Sequence, residues 1–153
     1  MSALKDQLHD DLVTAMKARD SLRTSTLRMA LAAITNAEVA GKEAKELTDE
    51  DVITVLGSEA KKRREAAEAF AGGGRQELAD KEQAEAEILA VYLPEQLTAD
   101  EIKAIVTAAV ESSGSAGEGM KAMGKVMGIV SPQVKGKADG GAVAAEVKAQ
   151  LGA

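Results

Sequence analysis

The stretch EAAEAFAGGGRQELAD, residues 65–80, decides the fold, because it places three consecutive glycines between two segments rich in helix-forming residues. The glycines at 72–74 lack a Cβ, so together they destabilise a helix and let the chain turn sharply. Apolar residues recur at helical spacing before them, over 52–70, and after them, from about 75 to 92. So short a break between two helices predicts a helical hairpin.

The composition extends this prediction to the whole chain. Its 153 residues include 30 alanines and two prolines, with one Phe, one Tyr and no Trp. A β-sandwich or barrel would need more β-branched and aromatic residues at short, regular spacing, whereas alanine is the best helix former. We therefore expect an all-α protein.

Helix signals divide the chain into two parts. Leucines at helical spacing predict helices in residues 4–34, and Thr48 opens the first arm of the hairpin with a capping-box pattern. Pro94 disfavours helical geometry at the residue before it, so we place a domain boundary there. The predicted domains are an N-terminal multi-helical domain, 1–93, and a small C-terminal three-helix domain, 94–153.

Three short helices account for the C-terminal part. Thr98 and Glu101 form a second capping-box pattern ahead of the first helix. Methionines spaced by three and four residues predict the second helix, which we expect to end at Ser131-Pro132. These methionines could fill the core of a small domain or line a groove for another helix.

Several classes of function are excluded by missing residue types. With no cysteine, the chain cannot form a disulfide, a zinc ribbon, an iron–sulfur cluster or a thiolate nucleophile. His9 is the only histidine, which rules out a multi-histidine metal site, and we interpret it as an exposed helical residue. We predict no catalytic residues, metal or cofactor. The charged N-terminal residues and the lack of a long apolar stretch predict a soluble cytoplasmic protein with no membrane contact.

Charge is unevenly distributed along the chain. The net charge is −6, yet residues 119–137 contain lysines and no acidic residue. Lysine supplies a charge that binds phosphate without reading sequence, and glycine lets backbone amides come close to a phosphate. The predicted nucleic-acid-binding residues are Lys121, Lys125, Lys135 and Lys137, and the predicted backbone-shaping residues are Gly124, Gly128, Gly136 and Gly140. Alternatively, the glycines of the second helix allow close helix packing and the lysines are merely solvated.

The densest basic run is Lys61-Lys62-Arg63-Arg64, inside the first arm of the hairpin. Successive helical residues point about 100° apart, so all four cannot face one ligand. The run is either an ordinary solvated helix face or part of a surface for RNA or a protein partner.

Particular motifs resemble the GatB/YqeY family. The C-terminal ones are YLPEQLTADEI at 92–102, MGKVMG at 123–128 and VKGKADG at 134–140. The N-terminal ones are AMKARD at 15–20, LRMALAAI at 27–34 and Lys81-Glu82, which are similar to stand-alone YqeY-like members. Where the GatB tail tends to have Ala-Asn-Pro, this chain has Ala-Asp-Gly at 138–140, so the match is to the stand-alone branch.

The resemblance implies an all-helical fold with a three-helix C-terminal domain. It also implies a link to tRNA, since the tail of GatB is implicated in tRNA recognition within an amidotransferase whose chemistry resides elsewhere. We therefore expect an accessory protein, noncatalytic alone, that binds tRNA or a tRNA-dependent amidotransferase-type partner. Any carbon–nitrogen ligase activity with glutamine as amide donor rests on the resemblance. The alternative is a helical protein–protein interaction module that does not contact RNA.

Overall fold

The computed structural model describes residues 2–152 and confirms the all-α prediction. This part of the chain contains seven α-helices, one short 3₁₀ turn and no strand. The helices are α1 (Ala3–Lys17), α2 (Ser21–Glu38), α3 (Asp49–Gly72), α4 (Gln76–Ala90), α5 (Ala99–Ser112), α6 (Met123–Val134) and α7 (Gly140–Gln150), with the 3₁₀ turn at Gly119–Ala122. The chain divides between Leu93 and Pro94 into two compact units, each with its own hydrophobic core.

Helices α1 and α2 are joined by a short turn of three residues, 18–20. The Asp20 amide donates to the Ala15 carbonyl at 3.0 Å and the Arg19 amide donates to the Met16 carbonyl at 3.1 Å. Together these bonds form a Schellman motif, whose turning residue adopts left-handed geometry and is usually glycine. Here that residue is Arg19, with a φ of 58°, and the left-handed conformation costs a non-glycine residue about 1 kcal/mol. The Asp20 side chain then caps α2 by accepting from the Arg23 amide at 3.0 Å.

Helices α3 and α4 form the predicted hairpin. Thr48 caps α3 through a reciprocal capping box with Asp51. At the tip, the Arg75 amide donates to the Phe70 carbonyl at 2.8 Å, and Gly74 takes a φ of 76°, which an L side chain would strain. Small buried side chains from both arms form part of the seam between the helices: Ala60, Ala67, Ala79 and Ala86.

The core of the N-terminal unit lies where the base of this hairpin packs on the first two helices. Fully buried apolar residues from all four helices meet there: Leu8, Leu27, Ile34, Leu56 and Leu89. Burial of each such side chain contributes about 1.5–3 kcal/mol relative to leaving it in water. The hairpin is thereby anchored at its base.

The C-terminal unit is a three-helix cluster around valines. Thr98 and Glu101 form the predicted capping box at the start of α5. The core is built from fully buried β-branched residues of all three helices: Val106, Val126, Val130, Val143 and Val147. Their burial sets the packing of α6 and α7 against α5.

The predicted end of the second C-terminal helix at Ser131-Pro132 is wrong. Pro132 lies inside α6, which continues to Val134. A proline removes one backbone donor and crowds the carbonyl four residues earlier, which here belongs to Gly128. Because Pro132 sits in the last turn of the helix, one missing hydrogen bond does not break it. The amide of Lys135 still donates to the Ser131 carbonyl at 3.1 Å.

Candidate nucleic-acid interface

All four lysines predicted to contact nucleic acid are exposed in the C-terminal unit. Lys121 lies in the 3₁₀ turn and Lys125 in the first turn of α6, whereas Lys135 caps the other end of α6 and Lys137 follows in the next turn. At a rise of 1.5 Å per residue, the ten residues from Lys125 to Lys135 separate the two ends by about 15 Å. That distance exceeds a Debye length of roughly 8–10 Å at physiological salt. The lysines therefore form two pairs, the α6-start pair (Lys121 and Lys125) and the α6-end pair (Lys135 and Lys137).

An acidic side chain lies beside the α6-start pair. The Lys125 ammonium is 3.9 Å from a carboxylate oxygen of Glu118, the residue just before the acid-free segment, and both side chains are exposed. An exposed pair of this kind contributes about 0–1 kcal/mol. A phosphate could displace it at little cost, although the local potential is less positive than residues 119–137 alone suggest.

The turn that carries the α6-end pair is held by the segment before α5. The Leu97 amide donates to the Lys137 carbonyl at 2.8 Å, and the Gln96 side-chain amide donates to the Gly136 carbonyl at 3.0 Å. Gly136 has a φ of 76°, which explains a glycine at this point of the turn. The sequence stretches PEQL and KGKADG, far apart in the chain, are thus hydrogen-bonded to each other.

The glycines of α6 do not serve close helix packing, so that part of the alternative is wrong, whereas the interpretation of the lysines as merely solvated stays open. Gly124 and Gly128 are exposed, and a Cβ built on either would meet no neighbouring atom within 4 Å. The same holds for Gly140 in the first turn of α7. Gly124 and Gly128 instead leave bare backbone on the outer face of α6, where a ligand could approach it closely.

An open groove lies between the C-terminal half of α6 and the start of α7. Its volume is about 710 Å³, and its walls include Met127, Pro132 and Val143, with Lys135 also lining it. Met123 and Met127 are half-buried against the core and Met120 is exposed. The methionine series therefore divides between core filling and surface.

The basic run on α3, residues 61–64, does not lie wholly at the surface, because Arg63 is buried. Neither a fully solvated helix face nor a ligand surface made of all four residues therefore describes it. The Arg63 guanidinium contacts Glu59 at 2.9 Å and Glu85 of α4 at 3.4 Å, and the side chains of Arg63 and Glu85 are each only 5% exposed. Lys62 and Arg64 stay at the surface. Sequence reasoning missed this ion pair, although Glu85 on the apolar face of α4 was a signal of it.

A second polar cluster of the N-terminal unit was also missed. The Tyr92 hydroxyl donates to the Asp11 carboxylate at 2.5 Å and lies 3.5 Å from the Arg23 guanidinium. Burial first, and then the hydrogen bond and charge of Asp11, raise the pKa of Tyr92 to about 12. Tyr92 therefore remains a protonated donor at neutral pH. Its partners Asp11 and Arg23 are about 70 to 80 residues away in the chain, so no local pattern indicates this cluster.

Other titratable groups have local structural roles. At the start of α3, the Asp49 carboxylate accepts hydrogen bonds from the Ser2 hydroxyl and the Leu4 amide, which lower its pKa. His9 is exposed, as expected. Among residues 2–152, no cluster of three or more His, Cys, Asp or Glu side chains is arranged to hold a metal ion. No helix within the same range is long and apolar enough to cross a membrane.

Proteins of two fungi are similar in sequence to more than half of this chain. A mitochondrial protein of Pyrenophora tritici-repentis named "Altered inheritance of mitochondria protein 41" is 33% identical over 135 residues, which is 86% of this chain and 71% of the fungal protein. A Schizosaccharomyces pombe protein named "Uncharacterized protein C22F3.15" is 38% identical over 93 residues, 60% of this chain and 73% of that protein. The family profile described as "Yqey-like protein" matches residues 5–151. The chain therefore belongs to the YqeY-like family.

Proposed function

We propose that this protein is a noncatalytic accessory protein that binds tRNA, or a tRNA-dependent amidotransferase-type partner, through its C-terminal unit. The observation that carries the proposal is the placement of Lys121, Lys125, Lys135 and Lys137 at the two ends of α6, all exposed. Between them, Gly124 and Gly128 leave the helix backbone open to close approach. Two cationic pairs about 15 Å apart suit a phosphate backbone, which offers negative charge at regular intervals.

The scarcity of aromatic residues favours phosphate contacts over base recognition. Single-stranded RNA is usually read by stacking bases on aromatic side chains. This chain has one Phe and one Tyr, and Tyr92 is buried and hydrogen-bonded in the N-terminal unit. A folded RNA bound through its shape and phosphates is the ligand that fits.

Titration of the intact chain with tRNA at several salt concentrations tests the proposal. Four phosphate contacts give a slope of log affinity against log salt of about −3 to −4, and removing either pair reduces its magnitude by about 2. The variants are Lys121→Gln/Lys125→Gln and Lys135→Gln/Lys137→Gln. A matched control is Lys103→Gln/Lys148→Gln, which removes two exposed lysines from α5 and α7 of the same unit. Equal slopes for all three double variants and the unmodified chain would refute the site.

The alternative function is protein–protein interaction through the hairpin without RNA. It is favoured by the acidic balance of the N-terminal unit, in which the acidic side chains outnumber the basic ones. The buried Arg63–Glu85 pair links α3 to α4, and a hairpin joined in this way would give such a surface a defined shape. Retention of partners from nuclease-treated extract, with loss after substitutions on the hairpin surface, would support this alternative.

A carbon–nitrogen ligase activity remains a proposal drawn from the family resemblance alone. Purified chain that converts the amino acid on mischarged tRNA to its amide, while glutamine becomes glutamate and ATP becomes ADP and phosphate, would establish it. The name of the fungal relative assigns that protein to mitochondria. For this chain we propose the cytoplasm, since a protein without cysteine fits a reducing compartment. Fractionation of cells that express the tagged chain tests this location.

A further inference from the structure

The corner between α1 and α2 combines strained backbone with exposed positive charge. Arg19 occupies the left-handed position of the Schellman motif, with a φ of 58°. It is the only residue other than glycine with a positive φ among residues 2–152. Glycine would adopt this geometry without strain. Strained conformations concentrate at functional sites, so the arginine side chain itself needs an explanation.

Three cations surround this corner. Lys17 ends α1, Arg19 makes the turn and Arg28 lies on α2, where its guanidinium is 3.8 Å from the sulfur of Met16. We call these three residues the basic corner. All three are exposed, and none has a carboxylate within 4.0 Å in the part of the chain that the structure describes.

Two charged residues close to the basic corner in the sequence, Asp20 and Arg23, make their close contacts with other groups. The Asp20 carboxylate accepts from the Arg23 amide and so complements the N-terminus of α2. The Arg23 guanidinium lies against the Tyr92 hydroxyl, and Tyr92 in turn binds Asp11. By contrast, Lys125 of the C-terminal unit faces Glu118. Lys125 of the α6-start pair thus has a carboxylate within 4.0 Å, whereas among the described residues no side chain of the basic corner has one.

We propose that the basic corner binds the phosphate backbone of a structured RNA and forms a second contact site on the N-terminal unit. The inference rests on the proposed RNA-binding function and extends it to the other unit. A guanidinium offers paired donors that match two phosphate oxygens. With three contacts and no neighbouring aromatic side chain in the cluster, the site would recognise phosphate and not sequence.

A flat anionic membrane fits the same corner less well. Helix α1 also carries Asp6 and Asp10, both exposed, and the N-terminal unit has more acidic than basic side chains. A broad anionic plane would face those carboxylates as well as the cations. A narrow ridge of phosphates can contact the corner alone, because charges further away than about 8–10 Å are screened.

The test variant is Lys17→Gln/Arg19→Gly/Arg28→Gln in the intact chain. Arg19→Gly relieves the left-handed strain, so the melting temperature of that single variant should equal or exceed that of the unmodified chain. The triple variant should bind tRNA at least about tenfold more weakly at 0.1 M salt, with a salt slope smaller in magnitude by about 2 to 3. A control with the same change in charge is Lys42→Gln/Lys45→Gln/Arg75→Gln, which removes three exposed cations of the same unit.

The outcomes separate this inference from the proposed function. Unchanged affinity and slope in the corner variant overturn the inference, and weaker binding in the α6 lysine variants would then leave the proposed function standing. Loss in the corner variant with no effect of the α6 variants supports the inference and refutes the C-terminal site. A chain that binds no tRNA overturns both. Binding to phosphatidylserine vesicles without binding to tRNA, lost in the corner variant, assigns the corner to a membrane and overturns the RNA proposal.

Discussion

Replacing Arg63 with Met should destabilise the N-terminal unit by about 3–5 kcal/mol, because it leaves a buried charge without its partner. The Glu85 side chain is 5% exposed, and without Arg63 its remaining cation is Lys81 at 4.0 Å. Glu59 loses a contact too, but it is more exposed and keeps Lys62 at 3.7 Å. Most of the expected loss therefore comes from Glu85.

Removing the acidic partner, Glu85, should destabilise the N-terminal unit less than removing Arg63. In Glu85→Leu, Arg63 keeps Glu59 at 2.9 Å, so we expect a loss of about 1–3 kcal/mol. The double variant Arg63→Met/Glu85→Leu replaces the pair by apolar side chains and should lie within about 1 kcal/mol of the unmodified chain. The two single losses should together exceed the loss in the double variant by at least about 2 kcal/mol.

Urea unfolding followed by the fluorescence of Tyr92 measures these changes. Tyr92 is the only tyrosine and the chain has no Trp, so the signal reports the unit that contains Arg63. The matched control is Arg64→Met, the same substitution at the exposed neighbouring position, which should change stability by about 0.5 kcal/mol or less. A loss below about 1 kcal/mol for Arg63→Met, or additive losses in the double variant, would refute a buried, coupled pair.

Three further changes test other contacts. Since the folded-state pKa of Tyr92 is raised from 10.0 to about 12, the stability from its protonated hydroxyl is complete below pH 10 and is lost as pH rises towards 12. Tyrosinate absorbance should show this late titration, and Tyr92→Phe, which cannot donate to Asp11, should remove that part of the pH dependence of unfolding. Thr98→Ala deletes the hydroxyl that accepts from the Glu101 amide and keeps the backbone amide that donates to the Glu101 carboxylate, and it should cost the C-terminal unit about 1 kcal/mol in chemical denaturation; an unchanged midpoint would contradict this. Pro132→Ala restores a donor for the Gly128 carbonyl and should stabilise the same unit by about 1 kcal/mol or more, so a lower melting temperature would count against it.

Local chemistry was enough to predict much of the fold. The glycines at 72–74 and the capping residues Thr48 and Thr98 act through their immediate neighbours, and the structure confirms the hairpin and both capping boxes. The predicted end of α6 was wrong because the prediction treated Pro132 as a helix breaker. Pro132 lies in the last turn of α6, where few hydrogen bonds remain to be lost.

Features that depend on two distant segments were harder to predict. The burial of Arg63 requires the register that brings α4 against α3 and places Glu85 opposite it, and no local pattern specifies that register. Similarly, the lysines of residues 119–137 look continuous in the sequence. In the structure, the length of α6 separates them into two pairs. The fold also brings Glu118 to within 3.9 Å of Lys125.

The bond from the Leu97 amide to the Lys137 carbonyl bears on how the C-terminal unit can be isolated. A fragment that began at the capping residue Thr98 would contain all three helices of that unit but would lack Leu97 and Gln96, the two donors that fasten the turn after α6. Such a fragment could fold and still present Lys135 and Lys137 in the wrong geometry. A fragment of the C-terminal unit should therefore begin at or before Pro94. It then contains Gln96 and Leu97, whose hydrogen bonds hold the turn that carries Lys135 and Lys137.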